Sequence, residues 1–500
     1  MKLHKKTCCS LLCLLCAASA ALVSCGGASG TAVETAEKQD GTPVTEAVTE
    51  TDERAPYADM APAEEDLGGY TFRMGVTEGK EIVAEQIGYW TEAENGETVN
   101  DAIFRRNFAV EEAYNVKITL TSLKDTSTTV RKNIQAGDDF CDIMFSSHVA
   151  DFIGHAQIGG LTDLNDLPEM NMTNPWWDAR IDSLSLFGDR YMATGAITME
   201  DDMREMCVMY NKTLYNQYDL PDPYEMVTSG TWTLDRMNEL VSGVTRDLDG
   251  DGAMTVSDQW GLCAEVYAGW YFFLASGADT IVYENGAYRS AISDQSFYDK
   301  FDAAINLLIG KDVFITDSGK YDRQITTPSV WDEASKMFEE NRVLLRTGTF
   351  SGTMYLRNME TDFGVLPIPK YSEEQDGYYC MVSFTCAPLA MPTTVQNRHA
   401  AALITEAMAY ESMFVLTPAF YEVFLGEKIL RDAQSREMVD ILLDSKVYSL
   451  DCFASITGMV DKMNAMVQTQ KNNIASAIAS VEKSAQKKLD KFVEKFADIG

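Results

Sequence analysis

The chain is 500 residues long and carries 76 acidic against 41 basic side chains, a formal net charge of −35. So acidic a chain repels polyphosphates and anionic headgroups, which sets nucleic acid aside as a partner. Hydrophobic residues make up 46%, an ordinary globular share, and the length is too great for one core and suits two lobes or two to three domains.

Met1 to Ser24 opens with Lys2, Lys5 and Lys6 and continues as an uncharged apolar run from Leu11 to Val23, the pattern of a cleaved export signal. The run ends in Leu22-Val23-Ser24-Cys25-Gly26, which resembles the bacterial lipobox. That resemblance implies a lipid on Cys25 and an extracytoplasmic protein held to the cell membrane by it. No later stretch reaches the ~20 apolar residues needed to span a bilayer. Residues 25–66 are rich in Gly, Ala, Thr and Glu and poor in large apolar side chains, the composition of a disordered acidic tether.

Strand-like and helix-like segments alternate from Leu67 onward, which predicts an α/β architecture with largely parallel sheets. Tyr70 to Val76 alternates as a strand, and a long acidic loop carrying Tyr89 and Trp90 follows from Thr77 to Thr98. Asn100 to Asn115 reads as a helix with Ile103, Phe104, Phe108, Val110 and Ala113 inward and Arg105 and Arg106 outward. Val116 to Leu120 is the next strand, Val130 to Ala136 the next helix, and Cys141 to Phe145 a strand running into Ser146, Ser147 and His148. Ligands of such sheets bind beyond the carboxyl ends of the strands, which places Ser146 and His148 toward a cleft. The six body cysteines, Cys141, Cys207, Cys263, Cys380, Cys386 and Cys452, have no C-x-x-C spacing and read as free, buried thiols.

Gly137-Asp-Asp-Phe-Cys-Asp-Ile-Met-Phe145 and Gly159-Gly-Leu-Thr-Asp-Leu164 open a series of short motifs. Met209-Tyr-Asn-Lys-Thr-Leu214, Gly230-Thr-Trp-Thr-Leu-Asp235, Glu265-Val-Tyr-Ala-Gly-Trp270 and Phe363-Gly-Val-Leu-Pro-Ile-Pro369 continue it. In this order, behind a lipobox, the series resembles the family 1 extracellular solute-binding proteins of ABC importers, the group of the maltose-binding protein. The resemblance implies a two-lobe, type II periplasmic-binding-protein-like fold whose chain crosses between lobes about three times. The crossings are expected near 197–204, 346–349 and 393–398. Residues 67–198 with 349–395 would form the N-terminal lobe, and 199–348 with 396–500 the C-terminal lobe. It further implies a monomer that binds a small-molecule solute, a carbohydrate, by hinge closure and presents it to permease subunits in the membrane.

A sugar has a hydroxyl rim and flat C–H faces, so its cleft needs polar groups around it and aromatic rings above and below. Trp270, Tyr267 and Glu265 lie in the segment that resembles a cleft-lining element; a core position for the ring is the alternative. Asp201 and Asp202 fall in the first crossing, where a carboxylate accepts hydroxyl hydrogen bonds and where a solvated turn is the plain reading. Ser146, His148, Trp90 and Phe350 complete the candidates. Trp176 and Trp177 follow a turn signal and cannot both point one way, which suggests Trp176 for the cleft and Trp177 for packing.

Asp247-Leu-Asp249-Gly-Asp251-Gly252-Ala-Met-Thr255-Val-Ser-Asp258 fits the twelve-residue calcium pattern. Asp247, Asp249, Asp251 and Asp258 would supply carboxylates, Ala253 its carbonyl and Thr255 a water, giving structural calcium within residues 247–258. Against an enzyme, the sequence has no G-x-S-x-G, H-E-x-x-H or G-x-x-x-x-G-K-[ST]. The expectation is a binding protein, with a peptide or other non-sugar cargo, or a lipid-anchored glycoside hydrolase, as rivals.

Overall fold

The computed structural model describes residues 53–78, 88–146, 148–356, 359–426 and 433–497. Cys25, with the signal and most of the tether, and Ser147 lie outside them. Residues up to Asp59 form one unit and Met60 onward another. Within the first, the chain turns as a 3-10 segment from Ala55. The start of the second is not the free tether expected up to residue 66: Glu65 meets His399 at 2.9 Å, and Asp66 accepts from Asn115 at 2.7 Å.

Two sheets organise the body. The first has the order β12-β3-β1-β2 and joins β1 (Tyr70–Thr77), β2 (Val116–Leu123), β3 (Ile143–Phe145) and β12 (Leu389–Ala390). Its first three strands are parallel, and β12 runs antiparallel to β3. At the centre, Gly75 leaves room for its neighbours: a Cβ there would stand 2.8 Å from Leu123 Cδ1. The second sheet has the order β10-β4-β9-β5-β8: β4 (Met206–Asn211), β5 (Trp260–Ala264), β8 (Val313–Ile315), β9 (Val343–Thr349) and β10 (Phe363–Leu366). Here β5, β8 and β9 are parallel and β4 lies antiparallel between β9 and β10. Among the described residues two small pairs complete the sheets, β6 (Ile281–Glu284) with β7 (Ala287–Ser290), and β11 (Cys380–Met381) with β13 (Lys446–Val447).

Helices α1 (Thr98–Tyr114), α2 (Thr128–Ala136) and α3 (Val149–Ala156) belong to the first half. The second half holds α4 (Leu234–Val244), α5 (Ala268–Ala275), α6 (Gln295–Leu308) and α7 (Val330–Glu339). Helix α8 (Arg398–Gly426) packs on α1 and β1, so it belongs to the first half and not, as expected, the second. Helix α9 (Ala433–Leu443) packs on β10; α10 (Met459–Thr469) and α11 (Ile474–Ala497) lie against α6.

The helix α1 corrects the predicted face. Phe108 is 52% exposed, while Arg106 is fully buried. The guanidinium of Arg106 donates to the carbonyls of Ile197 at 2.8 Å and Tyr89 at 2.6 Å, so its polar reach replaces the apolar residue expected there. Burial pulls its pKa down to about 9.

The chain passes from first half to second through 197–205, as expected. The second passage is not at 346–349, because β9 and β10 both lie in the second sheet, on either side of β4. It falls between β11 and β12, after which α8 stays with the first half; the expected passage at 393–398 therefore does not occur. The return follows α8. Two passages run side by side: Glu205 bridges Val382 antiparallel, and Ser383 N–H donates to the Arg204 carbonyl at 2.9 Å. The strand β13 flanks them, its Val447 carbonyl accepting from Val382 at 2.9 Å. These three segments form a ribbon at the joint between halves.

Candidate functional site

In a β-α-β crossover the helix runs back along the sheet, so its N-terminus lies where the parallel strands end. The unit β8-α7-β9 therefore carries Trp331, in the first turn of α7, to the carboxyl edge of β5, β8 and β9. Ser329 starts the helix there, its hydroxyl accepting from the Asp332 N–H at 3.2 Å. Trp331 is 44% exposed, and Tyr355, in the 3-10 segment Phe350–Leu356 that follows β9, is 79% exposed. Rings this large and this exposed at a strand edge have faces free to stack on a ligand.

Polar groups stand at the same edge. Arg346, on β9, donates through Nη1 to Ser335 Oγ on α7 at 3.0 Å. Glu265, one residue past β5, accepts from the Tyr271 hydroxyl at 2.7 Å, and Asp317, two past β8, accepts from the Val266 N–H at 2.7 Å. Burial raises the pKa of Glu265, with Tyr271 opposing, Asp317 adding and Arg346 opposing. Tyr267 lies beside Phe384 with ring centroids 4.7 Å apart, and Phe384 follows the second passage. Glu265 and Tyr267, two of the expected ligand residues, lie on the segment that leaves β5. Sequence reasoning missed Arg346, Trp331, Tyr355 and Phe384; the available signal was an isolated Trp just inside a Ser-capped helix.

Several expected ligand residues are turned elsewhere. Trp270 is fully buried in the second core, edge-on to Phe273 and Phe301 at 5.6 and 6.3 Å, so the core alternative holds. Phe350 is also fully buried. The tandem tryptophans do not divide between core and cleft: both are buried, and both indoles donate to Glu406 of α8, Trp176 at 3.0 Å and Trp177 at 2.8 Å. Gly195, at φ +137°, makes room for them, since a Cβ there would strike the Trp176 carbonyl. Ser146 is buried and bonded to Thr126 at 3.0 Å, while His148 is exposed at the start of α3. Trp90 is half-buried beside Tyr89, whose ring stacks on Phe145 at 3.9 Å.

Asp201 and Asp202 are committed to an ion cluster and not to a solvated turn. Lys446 Nζ meets Asp201 at 2.9 Å, Asp178 at 3.3 Å, and Asp202. Asp178 also pairs with Arg180 at 2.7 Å. Burial works against the ammonium of Lys446, and the carboxylates outweigh it, holding its pKa well above the usual range. Burial, with Asp202 and Asp178 adding and Lys446 opposing, pushes Asp201 up to about 7.

In the loop 247–258, Asp247, Asp249 and Asp258 bring carboxylate oxygens within 4.8 Å of one another. Asp247 accepts from the Gly250 and Gly252 amides at 2.7 and 2.8 Å, and these contacts lower its pKa, Gly252 most. Asp258 accepts from the Leu248 amide and from the Thr255 amide and hydroxyl. Asp251 accepts from the Ala253 amide and is not among the three gathered carboxylates. The donor set of hard oxygens wrapped around a glycine turn suits calcium.

Two α/β halves, each sheet taking one antiparallel strand that directly follows a passage between them, define the type II fold of the periplasmic-binding-protein class. The structure is similar to an ABC substrate-binding protein from Listeria monocytogenes solved with cycloalternan, at 12% identity and TM-score 0.54, over 84% of this chain and 99% of that one. It is also similar to the GacH receptor of Streptomyces glaucescens, solved unliganded and with acarbose (13%, TM-score 0.52, 84% and 99%). A sugar transporter from Rhizobium etli in an open conformation aligns at 14% identity and TM-score 0.53, over 85% and 99%. At these identities the likeness is one of fold. No protein family and no curated protein matches the chain by sequence. Among the described residues, no helix is long and apolar enough to cross a membrane.

Proposed function

We propose that the chain is the extracytoplasmic solute-binding component of an ABC importer, anchored through a lipid on Cys25, and that it binds a carbohydrate and releases it unchanged. The observation that carries this reading is that the topology sets exposed Trp331 and Tyr355, with Tyr267, Arg346 and Glu265, toward the carboxyl edge of the second sheet. Rings offer faces to sugar C–H groups, and the guanidinium and carboxylate bond the hydroxyl rim. Solved proteins of the same fold carry cycloalternan and acarbose, which supports an oligosaccharide. Closure of the halves would bury the solute between them. Tryptophan fluorescence titrated with linear and cyclic gluco-oligosaccharides should change saturably without product. Arg346→Ala should raise Kd by about tenfold or more, the loss of roughly one charged hydrogen bond. Silence across the panel, or a cleaved sugar, would overturn the reading.

The loop 247–258 is proposed to hold structural calcium, away from this edge. Calorimetry on chelator-stripped protein should give heat with calcium, lost in Asp247→Asn. No heat in the parent protein would refute the site.

A further inference from the structure

At the joint between the halves, one side chain lies buried without a partner. Glu205 is fully buried, and neither carboxylate oxygen has a hydrogen-bond donor. Its backbone is central to the ribbon: it bridges Val382, and its carbonyl accepts from the Phe350 N–H at 2.8 Å. The titratable and charged groups around the carboxyl come from every segment that meets there. Lys446 comes from β13, Arg180 from the 3-10 segment Ala179–Leu184, Asp178 just before that segment, and Asp202 from the first passage. The thiols of Cys207 on β4 and Cys380 on β11 also face it.

The two cations are already engaged. Lys446 is bonded to Asp178, Asp201 and Asp202, and Arg180 to Asp178 and the Leu443 carbonyl. An ionised Glu205 would be a fourth carboxylate in a dry cluster with two cations and no donor of its own, an arrangement that disfavours its charge. The protonated form removes that charge. Any opening of the ribbon that admits water would hydrate the carboxyl and remove the reason for the proton.

We propose that Glu205 carries a proton while the ribbon is packed as seen here and loses it when the ribbon opens, so that packing the ribbon takes up one proton. Burial is the main cause that raises the Glu205 pKa, with Lys446 and Arg180 opposing and Asp202 and Asp178 adding. The sign follows from linkage. A carboxyl whose pKa is higher in the packed state favours that state fully at low pH, and the advantage is lost as pH rises from its hydrated value through its packed value. Rising pH therefore loosens the joint.

This inference rests on the fold and not on the nature of the solute, so it is tested on the full chain without one. Small-angle scattering from about pH 5 to about pH 8 should show the radius of gyration growing in the parent protein and holding nearly constant in Glu205→Gln, the neutral isostere. The parent protein at neutral pH should also show the infrared carbonyl band of a protonated carboxylic acid, reduced in Glu205→Gln. An identical pH response in both proteins, or no such band to lose, overturns the proposal. Should Glu205→Gln fail to fold, hydrogen exchange of residues 203–208 and 380–384 in the parent decides alone. Protection that falls with pH beyond the intrinsic rate supports the proposal, and protection independent of pH overturns it. A chain that passes these tests yet ignores every sugar would leave the proton linkage standing and the carbohydrate reading fallen.

Discussion

Glu406 gathers three donors that lie far away in the chain: the Asn174 amide at 2.8 Å and the two indoles of Trp176 and Trp177. It is buried, and burial raises its pKa while those three donors oppose the shift. Glu406→Ala would leave all three donors without an acceptor, and urea unfolding should show a loss of about 3 kcal/mol. A change near zero would mean that water replaces the carboxylate. At this scale the sequence was a poor guide for a definite reason. The alternation rule sends neighbouring rings to opposite sides, but it cannot register an acceptor 230 positions away that draws both inward. Arg106 repeats the lesson: a charge on a helix reads as solvent-facing until two carbonyls from other segments are brought to it. The six body cysteines were legible, all free and buried, because nothing about them depends on a distant partner.

Among the elements, the first three strands and the helices between them were legible, since each repeats a period over enough residues to be distinctive. Helix α8 was not placed correctly. Its first turns are buried on nearly every side, so no polar stripe marks which neighbour it covers. Helix α11 carries a second point. It starts against α6 and β7 of the second half, and its last turn sets Phe496 against Tyr191, ring centroids 6.1 Å apart, beside Ile153, Ile181 and Leu184 of the first. It thus ties the two halves through the 3-10 segment Ala179–Leu184, which also packs on β13. Phe496→Ala should speed amide exchange in residues 489–496 by about a hundredfold, the equivalent of ~3 kcal/mol of lost packing. Unchanged exchange would show that the helix end is held by its polar contacts alone.

For the whole molecule, the two-lobe plan was legible in the order of the motifs, while two of the three passages were misplaced. The reason is topological. Strand β4 enters the second sheet antiparallel between β9 and β10, so a chain that leaves β9 does not leave the sheet, although Arg346 to Thr349 followed by Phe350 looks like a departure. The same nesting governs synthesis. A chain emerging from its amino end has delivered every strand of the five-stranded sheet before β12 exists to finish the four-stranded one, and α8 comes later still. The sheet that begins the polypeptide is therefore the later of the two to have all its strands, and it must wait with the edge of β3 unpaired while the five-stranded sheet already has every strand.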